Sequence, residues 1–465
     1  MKLYKDKKIH FLGVGGASMS ALAKFVLSRG GIVTGSDREK TAITEELQKL
    51  FHVYYGEHPE IVDGCHTIVY SSAIQSDNLE LKRARELNIP TIERHEFLGQ
   101  IADTFEKTVA IGGAHGKTTV TAMVTHMLME ANADFSAHIG GETEYGNLIL
   151  SGERIFVTEA CEYKRSLLSL NPHIAVVLNV ELDHPDCYSD MQSLLHVYLT
   201  FLEKADIQIF PVELIDLCKN ENINIAEYER IAQAFKAVDF INGGGVISFS
   251  SGNVCIWARG NIEEEKGESF VEIYQNNKVV SKVFLPSDDE STATNTLFSV
   301  VVLYALGYGT DLAGAVKSFK GVKRRREYIG QCGRAKIVFD YAHHPTQIRQ
   351  TINSFKGKNM VVFQPHTYSR TKAYFDDFVL ALGVADKLLI MDTYGAREDV
   401  IKGADSLALA NRISEMFAEC DVEYVKNISS TIDCVIARQN DYDNILFLGA
   451  GDIYKLKDEI LPYVR

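Results

Sequence analysis

The chain has 465 residues, a net charge of −14, and 46% hydrophobic and 24% charged residues. Its length corresponds to about three domains, and its composition is that of a globular protein rather than a disordered or fibrous one. The acidic total argues against general binding of nucleic acid or of an anionic membrane. No apolar run reaches the ~20 residues that span a bilayer. Eight scattered cysteines without a C-x-x-C pair favour a reducing, cytoplasmic compartment over a disulfide framework or a zinc site.

Most of the chain alternates short, apolar, β-branched segments with glycine-rich or polar loops and with segments of helical periodicity. This alternation predicts parallel sheets with helices on both faces. The predicted strands are Ile9–Leu12, Thr108–Ile111, Ile155–Thr158, Ala175–Leu178, Ile337–Phe339, Met360–Phe363, Lys387–Met391 and Ile445–Leu448. Weak boundaries near 100–106 and 320–330 predict domains at 1–105, 106–320 and 321–465.

One segment, from about residue 236 to 286, breaks this pattern. Its short stretches alternate apolar and polar residues and are separated by Gly and Asn turns. We expect antiparallel strands appended to the middle domain. They are predicted at Val246–Phe249, Val254–Ala258, Ser269–Tyr274 and Val279–Leu285.

A first glycine-rich loop follows the first predicted strand and opens a helix. Its residues are Gly13, Val14, Gly15, Gly16, Ala17, Ser18, Met19 and Ser20. Glycines let the backbone approach a pyrophosphate, and a helix N-terminus offers N–H groups to it. The dinucleotide fingerprint has Gly where Ser18 stands, and Asp37 ends a second predicted strand, where a ribose-binding acid would lie. A tight turn that binds nothing would give the same pattern.

A second glycine-rich loop follows the strand Thr108–Ile111. It runs Gly112-Gly113-Ala114-His115-Gly116-Lys117-Thr118-Thr119 and opens a predicted helix over Val120–Glu130. Backbone N–H groups and Lys117 would surround phosphates, and the Thr118 hydroxyl would reach Mg²⁺. The strict phosphate-binding loop (P-loop) has a Gly at the position of Ile111, so this loop is shorter than the general pattern. Its G-K-T-T ending still predicts a nucleotide site, against the alternative of a plain turn before a helix.

Acidic and polar residues follow the next two strands of the middle domain. Glu159 follows Ile155–Thr158, and the sequence Asn179-Val180-Glu181-Leu182-Asp183-His184 follows Ala175–Leu178. A nucleotide-bound Mg²⁺ takes oxygen ligands, usually from one or two carboxylates, and Glu159 fits this role. His184 is chemically less suited to Mg²⁺. From the residues alone it is either a ligand or a histidine that structures the loop.

The C-terminal third concentrates positive charge. Between residues 323 and 372, eleven Lys or Arg oppose only Glu327 and Asp340, so this stretch carries +9 and the rest of the chain −23. Ligands of open α/β sheets bind at the carboxyl ends of the strands, and arginine binds phosphate or carboxylate through paired N–H groups. For any single arginine, a solvated basic face is the alternative. The polar strand ends are Asp340–Pro345, Gln364–Arg370, Asp392–Glu398 and Gly449–Asp452.

Together, a P-loop, a second glycine-rich loop and a cationic domain indicate a nucleotide-driven joining reaction. No Ser/His/Asp order or reactive-cysteine signature indicates a covalent nucleophile. The predicted fold class is α/β with three domains. They are a Rossmann-like N-terminal domain, a central P-loop domain with appended antiparallel strands, and a Rossmann-like C-terminal domain.

Nine motifs of the chain resemble those of the Mur ligase family, and the resemblance runs from about residue 7 to the C-terminus. The motifs are GVGGASMSALA in the first loop, SSAI at 71–74, GAHGKTT at 113–119, EACEYKRS at 159–166, the N-x-E-x-DH set at 179–184, GVKRR at 321–325, DYAHHPT at 340–346, QPHTYSRT at 364–371 and LGAGDI at 448–453. The resemblance is closest to the members that join UDP-N-acetylmuramate to L-alanine.

The resemblance implies a binding role for each domain. The UDP part of the substrate would bind through Gly13, Gly15, Gly16, Ala17, Ser18, Met19, Ser20, Asp37, Ser71, Ser72 and Arg94. ATP would bind through Gly113, Ala114, His115, Gly116, Lys117, Thr118 and Thr119, with Asn295 at the adenine, Asp340 at the ribose and Arg324 at the γ-phosphate. Mg²⁺, or alternatively Mn²⁺, would be held by Thr118, Glu159 and His184. Arg325 would reach the muramoyl group, and the reacting carboxylate and L-alanine would meet Tyr341, His343, His366 and Arg370.

The implied reaction is ATP-dependent amide formation in peptidoglycan precursor synthesis. ATP would phosphorylate the muramoyl carboxylate, and the amine of L-alanine would attack the acyl phosphate, with Lys117, Arg324 and His343 as catalytic residues. The expected protein is a monomer or homodimer with no nucleic-acid or membrane partner. Alternatives are a ligase that recycles a peptide onto UDP-muramate, a paralogue for another amino acid or sugar, and a non-catalytic nucleotide-binding regulator.

The chain also departs from the family pattern at several of these motifs. Ser18 stands at the usual Gly of the first loop, and Cys161 stands where many members have Asp. Ser291 and Thr292 stand where His and Asn are frequent near the adenine, and Thr367 replaces an Arg found in many members. These positions bear on the shape of the UDP loop, the surroundings of the metal and the choice of amino acid.

Overall fold

The computed structural model describes residues 4–183, 187–223, 245–250, 253–309, 311–396 and 398–465. Its chain forms two compact units. The first comprises the residues up to Asp183 and Cys187–Lys320, and the second comprises Gly321–Arg465. None of the helices in the described part of the chain combines the length and the hydropathy that a membrane crossing requires.

A five-stranded parallel sheet opens the first unit. Its strands are β1 (Lys8–Leu12), β2 (Ile32–Asp37), β3 (His52–Tyr55), β4 (Thr67–Tyr70) and β5 (Thr91–Glu93), in the order β3-β2-β1-β4-β5. Its helices are α1 (Ala17–Ser28), α2 (Ala42–Leu47), α3 (Leu79–Glu86) and α4 (Arg94–Ala102). The strand order reverses at β1, which lies between β2 and β4, and such a switch point is where open sheets form a ligand crevice.

An eleven-stranded sheet forms the rest of the first unit. Its strands are β6 (Lys107–Gly112), β7 (Phe135–Thr143), β8 (Gly146–Leu150), β9 (Ile155–Glu159), β10 (Ile174–Val177), β11 (Ile207–Pro211), β12 (Gly245–Ser250), β13 (Asn253–Arg259), β14 (Glu263–Glu265), β15 (Glu268–Gln275) and β16 (Lys278–Phe284). The order is β14-β15-β13-β12-β11-β10-β6-β9-β7-β8, with β16 beside β15. The helices are α5 (Lys117–Glu130), α6 (Met191–Glu203), α7 (Glu213–Asn220) and α8 (Glu290–Ala305), with 3₁₀ turns at Tyr163–Ser169 and Asp311–Ser318.

The strands next to the P-loop are parallel, and the flanking strands are antiparallel. Strands β11, β10, β6, β9 and β7 pair in parallel, whereas β8 and β12 to β16 pair antiparallel. Val109, Ala110 and Ile111 of the central strand β6 are fully buried, because a parallel strand is covered on both faces. Trp257 on β13, the only tryptophan of the chain, is also fully buried, and its Nε1 donates to Ser248 Oγ at 3.0 Å.

The second unit contains one six-stranded sheet. Its strands are β17 (Glu327–Cys332), β18 (Ala335–Asp340), β19 (Asn359–Phe363), β20 (Lys387–Met391), β21 (Asp421–Val425) and β22 (Asn444–Leu448), in the order β17-β18-β22-β19-β20-β21. Only β17 is antiparallel to its neighbour. The helices are α9 (Pro345–Ser354), α10 (Tyr368–Ala373), α11 (Phe375–Leu382), α12 (Ser406–Met416), α13 (Ile428–Arg438) and α14 (Leu456–Ile460).

The predicted α/β class with parallel sheets is confirmed, and every predicted strand is present with ends shifted by two residues or fewer. Helix α5 begins at Lys117, three residues before the predicted start. The antiparallel strands continue the P-loop sheet itself, and the part of the predicted segment at 236–244 lies outside the described residues. The β7–β8 hairpin at the other edge was not predicted, because glycines interrupt its alternation of apolar and polar residues.

Candidate active site

The P-loop connects the central strand β6 to helix α5. Gly113 and Gly116 have φ angles of +131° and +84°, a left-handed region that glycine adopts without the steric cost of a Cβ. These two residues turn the chain so that α5 begins directly after the loop. The first turn of α5 consists of Lys117, Thr118 and Thr119.

The Lys117 side chain folds back over the loop that precedes it. Its Nζ donates to the carbonyl oxygens of Gly113 and Ala114, and to both carboxylate oxygens of Glu162 at 2.9 and 3.2 Å. Glu162 lies in the loop after β9 and its side chain is only 5% exposed. The P-loop lysine is therefore held in a nearly buried ion pair whose acidic partner comes from another strand end.

The protonation of Lys117 follows from two opposed effects. Burial favours the neutral amine, but the charge of Glu162, the hydrogen bond to it and the charge of Glu159 outweigh burial, and the pKa of Lys117 lies above its ordinary value. The ammonium group is therefore charged at neutral pH, as binding of a polyphosphate requires. Glu162 stands in the EACEYKRS motif, but the sequence alone predicted no role for it. Only the folded structure brings it to the lysine.

A second polar residue fixes the P-loop from the end of β10. The Asn179 side chain accepts from the His115 N–H at 2.8 Å and donates to the His115 carbonyl at 3.1 Å. Its backbone carbonyl accepts from the Ala114 N–H at 3.2 Å. The His115 ring contacts the Glu181 carboxylate. Asn179 thus acts as a clamp on the loop backbone. This role was not predicted from its position in the N-x-E-x-DH set.

Two oxygen donors lie beside the P-loop. Thr118 is 5% exposed at the start of α5, and Glu159 ends β9 in register with Ile111 of β6. The Glu159 Oε1 atom accepts from the Gly140 N–H at 2.6 Å. A hydroxyl and a carboxylate are the hard oxygen ligands that Mg²⁺ prefers, so this donor set fits that ion. His184, the third predicted ligand, lies outside the described residues.

Helix α8 brings Asn295 to the P-loop. A Cβ built on Gly116 would lie 3.0 Å from Asn295 Oδ1, so the amide lies directly against the loop. The N-terminus of α8 is capped by Asp289, which accepts from the Thr292 N–H at 3.0 Å and from the Ser291 hydroxyl at 2.7 Å. Ser291 and Thr292, which depart from the family pattern, therefore take part in this cap.

The first glycine-rich loop is closed by Asp37 at the end of β2. The Gly15 N–H donates to Asp37 Oδ2 at 2.7 Å, and the Glu39 N–H donates to Oδ1 at 3.3 Å. Ser71, at the end of β4, lies against Gly13, whose added Cβ would be 3.5 Å from the Ser71 Cβ. Asp37, Ser71 and the loop thus meet at the carboxyl edge of the five-stranded sheet.

The remaining predicted residues of this loop differ in what they can offer a ligand. Gly16 precedes the first residue of α1, and both Gly16 and Ala17 are exposed. Ser20 is buried and its hydroxyl donates to the Ala17 carbonyl at 2.8 Å. The Met19 side chain belongs to the hydrophobic core, so only its backbone can contact a ligand. Ser72 is exposed next to Ser71.

Ser18 links this loop to the eleven-stranded sheet. Its hydroxyl lies 2.9 Å from His138 Nε2 on β7 and accepts from Arg94 Nη1 at 3.2 Å. Burial and the nearby Arg94 lower the pKa of His138 to about 3, so the ring is neutral. Burial raises the pKa of the Cys161 thiol to about 11, so it remains protonated at neutral pH. A cavity lies at this junction, and its polar lining includes Ser18, Arg94, His138, Glu159, Cys161 and Ser166.

In the second unit, two arginines that precede β17 stack on one tyrosine that follows β18. The Arg324 guanidinium lies between the rings of Tyr341 and Tyr454, at 4.9 and 4.8 Å from their centroids, and Arg325 lies 4.6 Å from the Tyr341 centroid. Burial lowers the pKa of Arg324 from its ordinary, very high value, and the group stays charged. The basic run therefore forms an ordered cationic cluster at the carboxyl end of β18.

Asp340, at the end of β18, uses both carboxylate oxygens within its own unit. Oδ1 accepts from the Ala342 N–H at 3.1 Å, and Oδ2 accepts from the Thr351 hydroxyl at 3.0 Å. Burial raises the pKa of this carboxyl despite the neighbouring arginines Arg325 and Arg326. The carboxylate fixes the loop that carries Tyr341 and the histidines after it.

An aromatic series continues from Tyr341 along the strand ends. His343 lies edge-on to Tyr341 and to His366, with centroid distances of 5.2 and 6.0 Å, and His366 stacks on Tyr394 at 5.4 Å. Burial and Arg370 lower the pKa of His366 to about 4. The Arg370 Nη1 atom donates to the His366 carbonyl at 3.4 Å. The four predicted amino-acid ligands therefore lie in one cluster, together with Tyr394, which was not among the predicted site residues.

The sheets, the P-loop lysine and the oxygen donors beside it define a nucleotide-dependent α/β enzyme. The family model "Mur ligase family, catalytic domain" matches residues 8–106, "Mur ligase middle domain" matches 111–303, and "Mur ligase, glutamate ligase domain" matches 324–451. The chain belongs to the Mur ligase family, and it is an ATP-dependent ligase.

Known relatives resemble the chain over its whole length. A protein of Clostridium novyi (strain NT) named UDP-N-acetylmuramate–L-alanine ligase is 35% identical, with 98% of this chain and 97% of the relative covered. A relative of the same name from Acetivibrio thermocellus is 34% identical, with 98% and 96% covered. The crystal structure of UDP-N-acetylmuramate-alanine ligase from Thermotoga maritima has a TM-score of 0.78 at 23% identity, with 98% of each chain covered. A murein peptide ligase from Psychrobacter arcticus has a TM-score of 0.67 at 19% identity, with 98% of each chain covered, and so shares the fold.

Proposed function

We propose that this protein forms an amide between the carboxylate of UDP-N-acetylmuramate and L-alanine, in an ATP-dependent step of peptidoglycan precursor synthesis. The observation that carries the proposal is the full-length match, at 34–35% identity, to several relatives with this name. The charged Lys117 beside Glu162, and the oxygen donors Thr118 and Glu159, support a working phosphoryl-transfer site rather than a regulator that has lost its chemistry.

Each domain has a distinct task in this proposal. Residues 1–105 bind the UDP-sugar through the loop Gly13–Ser20 and through Asp37, Ser71, Ser72 and Arg94. Residues 106–320 bind ATP through the P-loop Gly113–Thr119, with Asn295 at the adenine. Residues 321–465 bind the amino acid and part of the nucleotide.

The chemical problem is that a carboxylate is a poor electrophile whose negative charge repels nucleophiles. Transfer of the γ-phosphoryl group to it gives an acyl phosphate, in which phosphate is a good leaving group. The Lys117 ammonium offsets charge on the transferring phosphoryl. The Arg324 guanidinium, held between two tyrosine rings, is our proposed second cation at the γ-phosphate.

We propose that Thr118, Glu159 and His184 hold Mg²⁺, with Mn²⁺ as an alternative. The hydroxyl and the carboxylate of the first two residues are chemically suited to either ion. When bound, the ion would neutralise charge on the phosphates. The contribution of the chain itself is to fix Glu159 through the Gly140 N–H, so that its carboxylate keeps one orientation.

Amino-acid handling is assigned to the cluster in the second unit. Arg370 would pair with the carboxylate of L-alanine, Arg325 would reach the muramoyl group, and Asp340 would lie at the ATP ribose. His343 and His366 would orient the amine and the acyl group. The low pKa of His366, about 4, keeps that ring neutral, which avoids repulsion of an approaching ammonium.

We further propose that the reaction takes place in the cytoplasm and that the enzyme is a monomer or a homodimer. All eight cysteines have free thiols in the structure, and this agrees with a reducing compartment. Size-exclusion chromatography with light scattering would measure the oligomeric state directly.

The function is tested by phosphate release from ATP with UDP-N-acetylmuramate and one amino acid at a time. We expect release with L-alanine, together with a product whose mass equals the summed masses of UDP-N-acetylmuramate and L-alanine minus one water. UDP-N-acetylglucosamine, which lacks the lactyl carboxylate, is the matched control and should give no release. Absence of release with every amino acid and with an alanyl peptide would overturn the ligase proposal, whereas release with glycine or L-serine alone would overturn only the assignment of L-alanine.

A further inference from the structure

His138 connects the two parts of the first unit that a UDP-linked acid would bridge. It lies on β7, is 3% exposed, and contacts Ser18 in the first loop at 2.9 Å and Thr158 on β9 at 3.1 Å. A buried imidazole is costly unless both ring nitrogens have partners, so such positions usually carry apolar side chains. Here both nitrogens are satisfied, and the partners are the UDP loop and the residue before Glu159.

The direction of these hydrogen bonds follows from the donors at either end. Arg94 can only donate, and it donates to Ser18 Oγ. The Thr158 hydroxyl donates to the Glu159 carbonyl at 3.3 Å. A neutral His138 with its proton on Nδ1 then donates to Thr158 Oγ1 and accepts from the Ser18 hydroxyl at Nε2. With this assignment every group in the series has a partner, and the bonds run in one direction from Arg94 to β9.

Arg94 depends on Ser18 for its orientation. Within the described residues, its guanidinium has one hydrogen bond, to Ser18 Oγ, and no carboxylate forms an ion pair with it. A serine hydroxyl without a second partner samples three rotamers, and only a fixed one presents a constant acceptor. By accepting the Ser18 proton, His138 holds that rotamer and, through it, the guanidinium.

The cavity that Arg94 faces is suited to a carboxylate. Its lining includes Arg94, Glu159 and Gly140, and Glu159 stands in register with the strand that leads into the P-loop. A phosphoryl acceptor must lie near that loop, whereas the diphosphate of a UDP-sugar belongs at the glycine-rich loop. An arginine fork matches the geometry of a carboxylate and pairs with it through two N–H groups.

We propose that His138 is a positioning residue for substrate binding: through Ser18 it holds the Arg94 guanidinium ready for the carboxylate of the UDP-linked acid. This inference rests on the proposed function, since the carboxylate is that of the muramoyl group. Holding Arg94 in advance removes part of the ordering cost that binding would otherwise carry. Ser18 stands where the family usually has glycine, and it acts together with His138 to position Arg94 in this chain.

Two substitutions at His138 separate its two bonds. An Asn side chain places its polar atoms near the Nδ1 position and keeps the contact to Thr158, whereas Gln reaches the Nε2 position and keeps the contact to Ser18. We expect His138→Asn and Ser18→Ala to raise the Kd for UDP-N-acetylmuramate by about 3- to 10-fold, the effect of losing one hydrogen bond. His138→Gln should stay within about 2-fold of wild type. Isothermal titration calorimetry without ATP measures these constants independently of turnover.

The controls distinguish positioning from loss of stability. Ser136→Ala removes a hydrogen bond of similar length, to the Gly152 carbonyl at 2.7 Å, from the same strand, and its Kd should not change. UDP-N-acetylglucosamine has the diphosphate but no lactyl carboxylate, so its Kd should be the same for wild type and for both His138 variants. In the steady state, His138→Asn should raise the KM for UDP-N-acetylmuramate and leave the KM for ATP unchanged.

The possible results are decisive in different ways. Equal loss of affinity in His138→Asn and His138→Gln would show a merely structural histidine and overturn the proposal. Equal loss for both UDP-sugars would assign Arg94 to the diphosphate and overturn the carboxylate. Unchanged affinity in all variants, with wild type still active, would refute the positioning role alone. Wild type that binds no UDP-N-acetylmuramate would refute the proposed function itself.

Discussion

The ion pair between Lys117 and Glu162 makes a quantitative prediction about the stability of the first unit. The two charges are 2.9 Å apart, and the side chains are 16% and 5% exposed. At an effective dielectric constant of about 20, the attraction is about 6 kcal/mol, and removal of both groups from water offsets much of it. Loss of one partner leaves the other charge nearly buried and unpaired, so we expect Lys117→Met and Glu162→Gln each to cost about 3–5 kcal/mol of unfolding free energy.

A double-mutant cycle isolates the pair from the other contacts of each residue. The double variant Lys117→Met/Glu162→Gln should cost less than the sum of the single variants, with a coupling of about 2–3 kcal/mol. Urea unfolding without nucleotide, followed by the fluorescence of Trp257, measures the first unit specifically, because this only tryptophan lies on β13. Addition of ATP should stabilise wild type but not the Lys117→Met protein.

Turnover provides the second measurement on the same variants. In the proposed mechanism Lys117 is the cation that faces the transferring phosphoryl, so we expect Lys117→Met to lower kcat by more than about 100-fold. A coupling below about 0.5 kcal/mol would show that the ion pair contributes nothing in solution. Near-normal turnover of a folded Lys117→Met protein would remove the P-loop from the mechanism.

Three further predictions follow from single contacts of the site. Asn179→Ala removes both bonds to the His115 backbone, and the KM for ATP should rise about 10-fold; an unchanged KM would contradict the clamp. Gly140→Ala places a Cβ 2.7 Å from both Glu159 oxygens, so the Mg²⁺ concentration at half-maximal rate should rise about 10-fold, while the Kd for ADP without metal stays constant. His366 has a pKa of about 4 in the fold against 6.5 for the free side chain, so the unfolded chain takes up the extra proton. Lowering the pH from 7 to 5 should therefore reduce the unfolding free energy of the second unit by about 2 kcal/mol. Calorimetry should show that His366→Phe loses this dependence, and an identical pH slope in both proteins would refute the buried neutral ring.

Patterns confined to neighbouring residues predicted the fold well. Apolar runs with β-branched residues, such as Met360–Phe363, identify buried parallel strands directly, because such strands have no solvent-facing side. The phosphate loop was equally predictable, since the two left-handed glycines and Lys117 stand within five residues of one another. Local geometry decides these features, and the sequence contains all of it.

Contacts between distant residues were not predictable in the same way. Glu162 meets Lys117 across 45 residues, and His138 meets Ser18 across 120. Each contact depends on the strand register and on the loop that follows, neither of which leaves a pattern in the chain. Asn179 stood in a recognised motif, yet its two bonds to His115 became evident only from the fold. The motifs predicted where the site lies, whereas the residues that hold the motif side chains in place became evident only from the structure.

The order of elements along the chain also determines which part of the fold is complete first during translation. The five-stranded sheet has all its strands and helices once Ala102 has been made. The proposed ATP site needs α8, because this helix packs on α5 and carries Asn295, and α8 ends at Ala305. At about 5–20 residues per second, a ribosome needs about 10–40 s to cover that interval. The P-loop is therefore synthesised well before the helix that packs beside it. The five-stranded sheet can already pair its strands during this interval.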